Sequence, residues 1–487
     1  MGGRSMNRSS TNSSSSRSLN RIMMLGACLA ILTVPAFKAR SQSAGIPIEH
    51  FIFIIQENHS FDNYFGTYPG ANGIPPGTLI PDYPGGPLVH APFLLKATHV
   101  PRDLPHGWVS YRVAWDNGAM DGFLWAEYRQ GSSYYGKGIA QPTPNPNLVK
   151  VVKRKRTTDS EPKAIFSDGK FLSPSGFADS EDDDTPWVGD ANEQLAAPEP
   201  LASGTPNPAK RPSWVIYTLS YMDDSVIPNY WTYAHYYTLC DEFFSSVTTA
   251  SLSNHLYNVA GQSGDLVRDF RIPRANTLYF EFPSVIQTLG NANVAWKYYS
   301  GKGDPKVEGV WNPLPGFRKY SESTGTQNLD SHLGSIPDFY RDIQKNTLPQ
   351  VCWITPRKEQ SEHPPYDVQT GMWYVTDLVN AVMQSPFWYS CAIIIMWDES
   401  GGFYDHVAPP QVDELGLGFR VPALVISPWS KSGVIVHTQY DLTSPLALLE
   451  TKFGLPALST RDGSSNSMLD CFDFTQTPLP PHIIKKN

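Results

Sequence analysis

Five apolar runs of strand length constrain this chain more than any other feature: HFIFIIQ (50–56), VAWKYYS (294–300), QVCWITP (350–356), CAIIIMW (391–397) and VPALVISP (421–428). A strand with one wet face alternates apolar and polar side chains, whereas these runs are apolar on both faces and need cover on both. Helical patterns lie between them, as in TGMWYVTDLVNAVMQS (370–385) and SPLALLETKFG (444–454). Strands alternating with helices predict one large α/β domain over 45–487, with a mostly parallel sheet in a three-layer α/β/α sandwich.

Residues 138–212 interrupt the pattern. They hold PTPNPN, a basic run KVVKRKR (150–156), an acidic run EDDD (181–184) and repeated Pro, Ala and Gly. This composition predicts a loop-rich, irregular insertion or cap. The basic run suits a solvated face, and the acidic run lacks the spacing of a calcium loop. With 13 Trp, 24 Tyr and 23 Phe, the chain as a whole is excluded from the disordered and fibrous classes.

The N-terminus reads as an address. Residues 1–21 are rich in Ser, Asn and Arg with no acid, and IMMLGACLAILTVPAF (22–37) is a short apolar run followed by SQSAG (41–45). A basic region, an apolar core and a small-residue exit predict a signal peptide over residues 1–44, hence a periplasmic or secreted protein. The run is short for a membrane span. LGAC (25–28) resembles a lipoprotein box, but the apolar stretch continues past Cys28. Removing 1–44 takes six of the 38 Lys and Arg and no acid, leaving 32 against 46 acids, a net charge of −14. Such an acidic chain is a poor partner for nucleic acid. Four cysteines remain, Cys240, Cys352, Cys391 and Cys471, without a C-x-x-C spacing. One or two disulfides fit an oxidising compartment, and buried free thiols fit Cys352 and Cys391 inside their apolar runs equally well.

Polar residues cluster just after the strand-like runs. Glu57 and Asn58 follow the first, Asp398 and Glu399 follow CAIIIMW, and Glu362 and His363 come soon after QVCWITP. In open parallel sheets ligands bind beyond the carboxyl ends of the strands, so one rim receives carboxylates, an amide and an imidazole. Alone, each carboxylate reads equally well as a helix cap or ion-pair partner; as two acid-bearing pairs they fit an oxygen-rich metal site. In FFSSVTTASLSNHLYNVAGQSG (243–264), small hydroxyl residues lead into a helix beginning near Ser251–Asn254. A serine at a helix start either caps it or attacks a phosphate held there.

ENHSFDNYFG (57–66), the segment around His106 with NGAMDGF (117–123), SLSNHLY (251–257), SEHPP (361–365), WDESGGFYDHV (397–407) and YDLTSPLALLE (440–450) together resemble the bacterial phosphoesterase family. That family holds phospholipases C and secreted acid phosphatases, and the matching motifs run in its order over about 50–455. The resemblance implies an alkaline-phosphatase-like sandwich. It also implies that Glu57, Asn58, Asp398 and Glu399 hold a divalent metal (calcium, magnesium, manganese or zinc) and that Ser251 is the nucleophile. Asn254 and His106 are then donors to the phosphoryl oxygens, and His363 is the acid and base.

This chain departs from the family pattern at His59, at Ser400 and at Ser253-Asn254-His255. His59, His255 and His406 are read as structural. The resemblance leaves a phospholipase C and a broad phosphomonoesterase as alternatives, acting on phospholipid or on phosphate monoesters with transient contact to a membrane surface. An exported binding protein with a dead site is a third reading, opposed by the presence of Ser251, Asn254, His363 and both acid pairs. Tyr111, Trp115, Phe123, Trp125, Tyr134 and Tyr135 would wall an acyl-chain pocket, or simply form core.

Overall fold

The computed structural model describes residues 45–128, 139, 141–151, 212–269, 278–301, 311–317 and 329–486. Residues 1–44, most of 138–212 with its acidic run and its basic run beyond Val151, and Tyr134 and Tyr135 lie outside this set.

Eight strands make the central sheet: β1 (His50–Gln56), β2 (Thr238–Cys240), β3 (Trp296–Ser300), β4 (Leu333–Ser335), β5 (Val351–Thr355), β6 (Cys391–Trp397), β7 (Ala423–Ile426) and β8 (Val434–Val436). Their order is β4-β3-β5-β1-β6-β7-β2-β8. All run parallel except β7, which is antiparallel to both of its neighbours. The expected mostly parallel sheet is therefore present. Every residue of β5, β6 and β7 is buried, as a strand covered on both faces requires. The run at 421–428 shortens to four residues because Pro422 and Pro428 bring no N–H to the ladder.

Six helices matter for the site: α1 (Phe61–Phe65), α2 (Trp108–Trp115), α3 (Pro228–Tyr236), α4 (Ser251–Ala260), α5 (Val368–Met383) and α6 (Ser444–Phe453). Asp367 caps α5 by accepting from Thr370 N at 2.8 Å. That helix buries Gly371, Met372, Val375, Leu378, Val379 and Val382, one stripe at helical spacing. Gly261 closes α4 at φ 67°, the left-handed conformation that a helix end takes with least strain on glycine.

The register places the chemistry. Gln56 of β1 sits opposite Trp397 of β6, so the chain leaves both strands at the same level, and Asp398 N donates to Gln56 O at 3.0 Å. On the other side Glu57 N donates to Ser361 O at 3.0 Å, which draws in the segment after β5. All four described cysteines are buried free thiols, with Cys352 and Cys391 inside their strands, and the sulfurs of Cys240 and Cys471 lie 3.7 Å apart. Among the insertion residues that are described, Val149–Val151 pairs antiparallel with Leu278–Phe280. Among the described residues no helix is long and apolar enough to cross a membrane.

Candidate active site

Glu57 and Asp398 emerge from neighbouring strands, and both are wholly buried. Two backbone N–H groups, from Asn58 at 3.1 Å and Glu399 at 2.7 Å, donate to Asp398 Oδ1. Asn58 takes φ 63° to present its N–H in this way. Gly401 explains part of the DESGG motif: it sits at φ 62°, and a Cβ there would come within 2.2 Å of Asn58 O. Any larger residue would push the two acid-bearing turns apart.

Ser251 opens α4 but does not cap it. The capping position is Ala250, and Ser251 Oγ instead donates to Glu57 Oε2 at 3.2 Å. A cap accepts from backbone N–H groups, so this bond removes the capping role as the explanation for the serine. One turn on, His255 Nε2 lies 3.0 Å from Glu57 Oε1 and 3.8 Å from Asp398 Oδ2. His255, read from the sequence as structural, shares one carboxylate with Ser251. Leu252 N, in the first turn, donates to Asp269 Oδ1 at 2.8 Å, so this N–H is already engaged.

Asn254 has a different task from the phosphate donor that was expected. Its Oδ1 accepts from Ser246 N at 3.0 Å and Val247 N at 3.1 Å. Its Nδ2 donates to Val247 O at 3.2 Å and Thr249 O at 3.0 Å. The amide thus holds the loop that leads to Ser251, with no donor left over for a substrate oxygen. It is a positioning residue.

Glu399 extends the cluster toward α2. Its Oε2 accepts from the Tyr111 hydroxyl and from Gly401 N at 2.6 Å, while its Oε1 faces His106 Nε2 at 3.8 Å. His106 Nδ1 donates to Leu104 O at 2.6 Å. The rings of His106 and His363 meet edge to face at 5.7 Å, and His363 Nδ1 donates to Pro364 O at 2.6 Å. Asp103, His106 and His363 can bring their polar atoms within 4.8 Å of one another. His106 and His363 are half-buried, and they give the cluster its polar edge.

The electrostatics are those of a site short of positive charge. Burial raises Asp398 to about 8, with the neighbouring Glu57 adding to the shift. Burial likewise raises Glu399 to about 7 and pushes Glu57 well above the carboxylate range. Burial works against the charge on His106, yet Asp103 and Glu399 outweigh it and hold the imidazolium up to about 10. Asp398 Oδ2, Glu399 Oε1 and both polar atoms of the Asn58 side chain are buried with no hydrogen-bond partner among the described residues. Buried polar atoms are rarely left so, and the three oxygens among them, each with a lone pair to give, fit a bound divalent cation. Glu57 and Asp398, whose ligand atoms lie within 4.8 Å of one another, suit the ion that the resemblance implies, and Asn58 Oδ1 and Glu399 Oε1 follow them in the chain as unpartnered oxygens.

His59 and His406 are held by partners outside the acid cluster. His59 is held within the fold with Nδ1 2.7 Å from the acceptor Asn63 Oδ1 and Nε2 2.9 Å from the acceptor Glu362 O, and burial lowers it to about 4. His406 Nδ1 lies 2.7 Å from Asp62 Oδ2 beside Arg420. Glu362, expected at the rim beside His363 but given no catalytic or metal role, accepts from Tyr64 at 2.7 Å, Gln56 at 3.0 Å, Trp397 at 3.2 Å and also from Tyr230. Of the aromatic residues offered as a pocket wall, Tyr111 and Phe123 are fully buried in a satellite core with Tyr404 and Phe419. A cavity of about 910 Å³ bordered by Arg357, Asp367 and Trp373 contains none of the expected site residues.

A hydroxyl at a helix start, held against acids in want of a cation, suits transfer of an anionic ester group. The chain belongs to the Phosphoesterase family, whose sequence profile matches residues 48–143 and 174–456. It is 26% identical to phospholipase C A of Mycobacterium tuberculosis over 499 residues, covering 90% of this chain and 79% of that protein. It is 25% identical to the non-hemolytic phospholipase C of Pseudomonas aeruginosa, covering 89% of this chain and 57% of the relative. Among solved structures, a protein in the alkaline phosphatase superfamily from Vibrio parahaemolyticus aligns over 50% of this chain and 64% of its own, at 10% identity and a TM-score of 0.32. The protein is a phosphoric ester hydrolase.

Proposed function

We propose that this enzyme is a phospholipase C that cleaves the glycerol-side phosphodiester of phospholipids through a phosphoserine on Ser251. The observation that carries the reading is the Ser251 hydroxyl at the start of α4, hydrogen-bonded to Glu57 inside the acid cluster. The phospholipase C relatives favour a diester over a monoester substrate.

Glu57, Asn58, Asp398 and Glu399 would hold the divalent ion, which when bound neutralises a phosphoryl oxygen and lowers the serine pKa. Glu57 orients the Ser251 hydroxyl and takes up its proton as Oγ attacks phosphorus. His106, held as an imidazolium, stabilises charge on the phosphoryl oxygens. His363 has its Nδ1 committed to Pro364 O, so Nε2 remains to protonate the departing diacylglycerol alkoxide. The same nitrogen then takes a proton from the water that attacks phosphorus, and Glu57 returns its proton to Ser251 Oγ as the phosphorus–serine bond breaks and the phosphorylated head group is released.

The test is parallel assay on phosphatidylcholine, para-nitrophenyl phosphate and phosphorylcholine, each with and without chelator. Diacylglycerol and phosphorylcholine released from phosphatidylcholine are expected. Turnover of the monoesters alone would replace this reading with that of a phosphomonoesterase. The proposal places the enzyme in the periplasm or medium, in transient contact with a bilayer surface. Mass spectrometry of the purified protein then finds an N-terminus between about residues 38 and 46. An intact 1–44 segment on cytosolic protein would remove the export.

A further inference from the structure

His255 has no role in the steps above, yet it stands closer to Glu57 than Ser251 does, 3.0 Å against 3.2 Å. The two residues are four apart on α4, so both side chains leave the same face, and the one carboxylate lies between them. If His255 were only a hydrogen-bond donor to Glu57, Asp398 would have to be satisfied elsewhere. It is not: Asp398 Oδ2 is buried and unpartnered, and at 3.8 Å it is too far from the imidazole for a hydrogen bond. One N–H can serve one carboxylate, whereas one cation between them serves both carboxylates and accepts the imidazole lone pair too. Ligand atoms of Glu57, His255 and Asp398 do converge within 4.8 Å of one another. Donors about 2.1 Å from a shared ion lie roughly 3.0–3.4 Å apart; the His255–Glu57 separation of 3.0 Å falls in that range, and the 3.8 Å from His255 to Asp398 Oδ2 lies just above it.

We propose that His255 is a direct nitrogen ligand of the ion at this site, making it a centre for a zinc-class ion over calcium or magnesium. Calcium and magnesium are bound by oxygen alone, and zinc and its transition-metal neighbours favour sets that include imidazole. This rests on the metal-assisted reading above and adds to it which ion is taken and through which atom.

The test uses full-length protein stripped with chelator and then loaded with one equivalent of Cu²⁺ as a spectroscopic probe. Electron paramagnetic resonance of the wild type should show nitrogen coupling that changes when the histidines carry ¹⁵N, an experiment that needs no variant. The coupling should be lost in His255→Gln and kept in His106→Gln, with circular dichroism melts showing both variants folded. By titration calorimetry, Zn²⁺ should bind the stripped wild type at least about a hundredfold more tightly than Ca²⁺. His255→Gln should weaken Zn²⁺ at least about tenfold, since losing even an outer-sphere partner of a metal site costs that much. A spectrum without nitrogen coupling, coupling that survives His255→Gln, or Ca²⁺ bound as tightly as Zn²⁺ would each overturn the proposal. Because these readouts are independent of turnover, they separate the two conclusions. Phosphatidylcholine hydrolysis without nitrogen coupling removes only the His255 ligand, and nitrogen coupling without ester hydrolysis removes only the phospholipase reading.

Discussion

The segments ENHSFD and DESGGFYDH each contribute to two buried clusters of acids and histidine, and the clusters end up opposite in character. The first halves supply Glu57, Asp398 and Glu399, where buried oxygens lack partners and burial raises the carboxyl pKa values. The second halves supply Asp62, Asp405 and His406, and there the protein brings its own cation. Arg420, fully buried, donates to Asp405 at 2.9 Å and to Asp62 at 3.0 Å, and reaches the carbonyls of Asn72 and Asp241 at 2.7 Å and 2.8 Å. The second cluster also offers three potential metal ligands, but a guanidinium already occupies the centre of its charge. Similar residue types therefore make a brace or a reaction site according to whether the chain supplies the positive charge itself.

The largest expected effect falls on the open cluster. Ser251→Ala should remove several orders of magnitude of turnover while leaving the melting temperature close to wild type, because the serine does not cap α4. Acid-quenching wild type with labelled substrate should leave phosphate on the peptide containing Ser251. Label on Thr248 or Thr249 would move the nucleophile out of the cluster.

Arg420→Ala tests the closed cluster. It leaves Asp62 and Asp405 buried without their counter-charge, and a broken buried pair costs about 3–5 kcal/mol, read as a lower denaturation midpoint. A loss below about 1 kcal/mol would mean the brace is not one. Asp398→Asn should give the reverse pattern: about a hundredfold or more off kcat/KM, as chelation should, with metal-free stability unchanged or raised. The stability should not fall, because this carboxylate is already poorly compensated.

The smallest effect is in the pH dependence of stability. Burial lowers the pKa of His406, but its bond to Asp62 more than reverses this and leaves it above 6.5. A raised histidine contributes stability that is complete below its unfolded value and fades as pH rises through its folded value. Urea denaturation between pH 6 and 9 should therefore show a decline that His406→Gln flattens. An unchanged slope in that variant would take His406 out of the brace.

The apolar runs made the strands legible. HFIFIIQ and CAIIIMW match β1 and β6 residue for residue, since an all-apolar run has only a doubly covered strand to occupy. Strands β2, β4 and β8 escaped notice because three residues are too few to carry a period. The reversed direction of β7 was invisible for another reason: a buried strand carries the same side chains whichever way it runs.

In the site, the start of α4 at Ser251 and the acids beyond β1 and β6 were readable as strand-end and helix-start chemistry. His255 and Asn254 were not. Their partners are chosen by the turn of α4, which aims the imidazole at Glu57, 198 residues away in sequence, and the amide back at the loop 246–249. The Tyr111 hydroxyl on Glu399, 288 residues away, gave no local signal either.

By itself the sequence determined which segments must be buried and which acids leave the sheet at its carboxyl edge, because burial and strand ends are local consequences of side-chain type. Only the tertiary structure decided which acids receive a guanidinium and which are left wanting a cation. That depends on the register of β1 against β6 and on where Arg420 and α4 pack, and electrostatic partners act through space rather than along the chain.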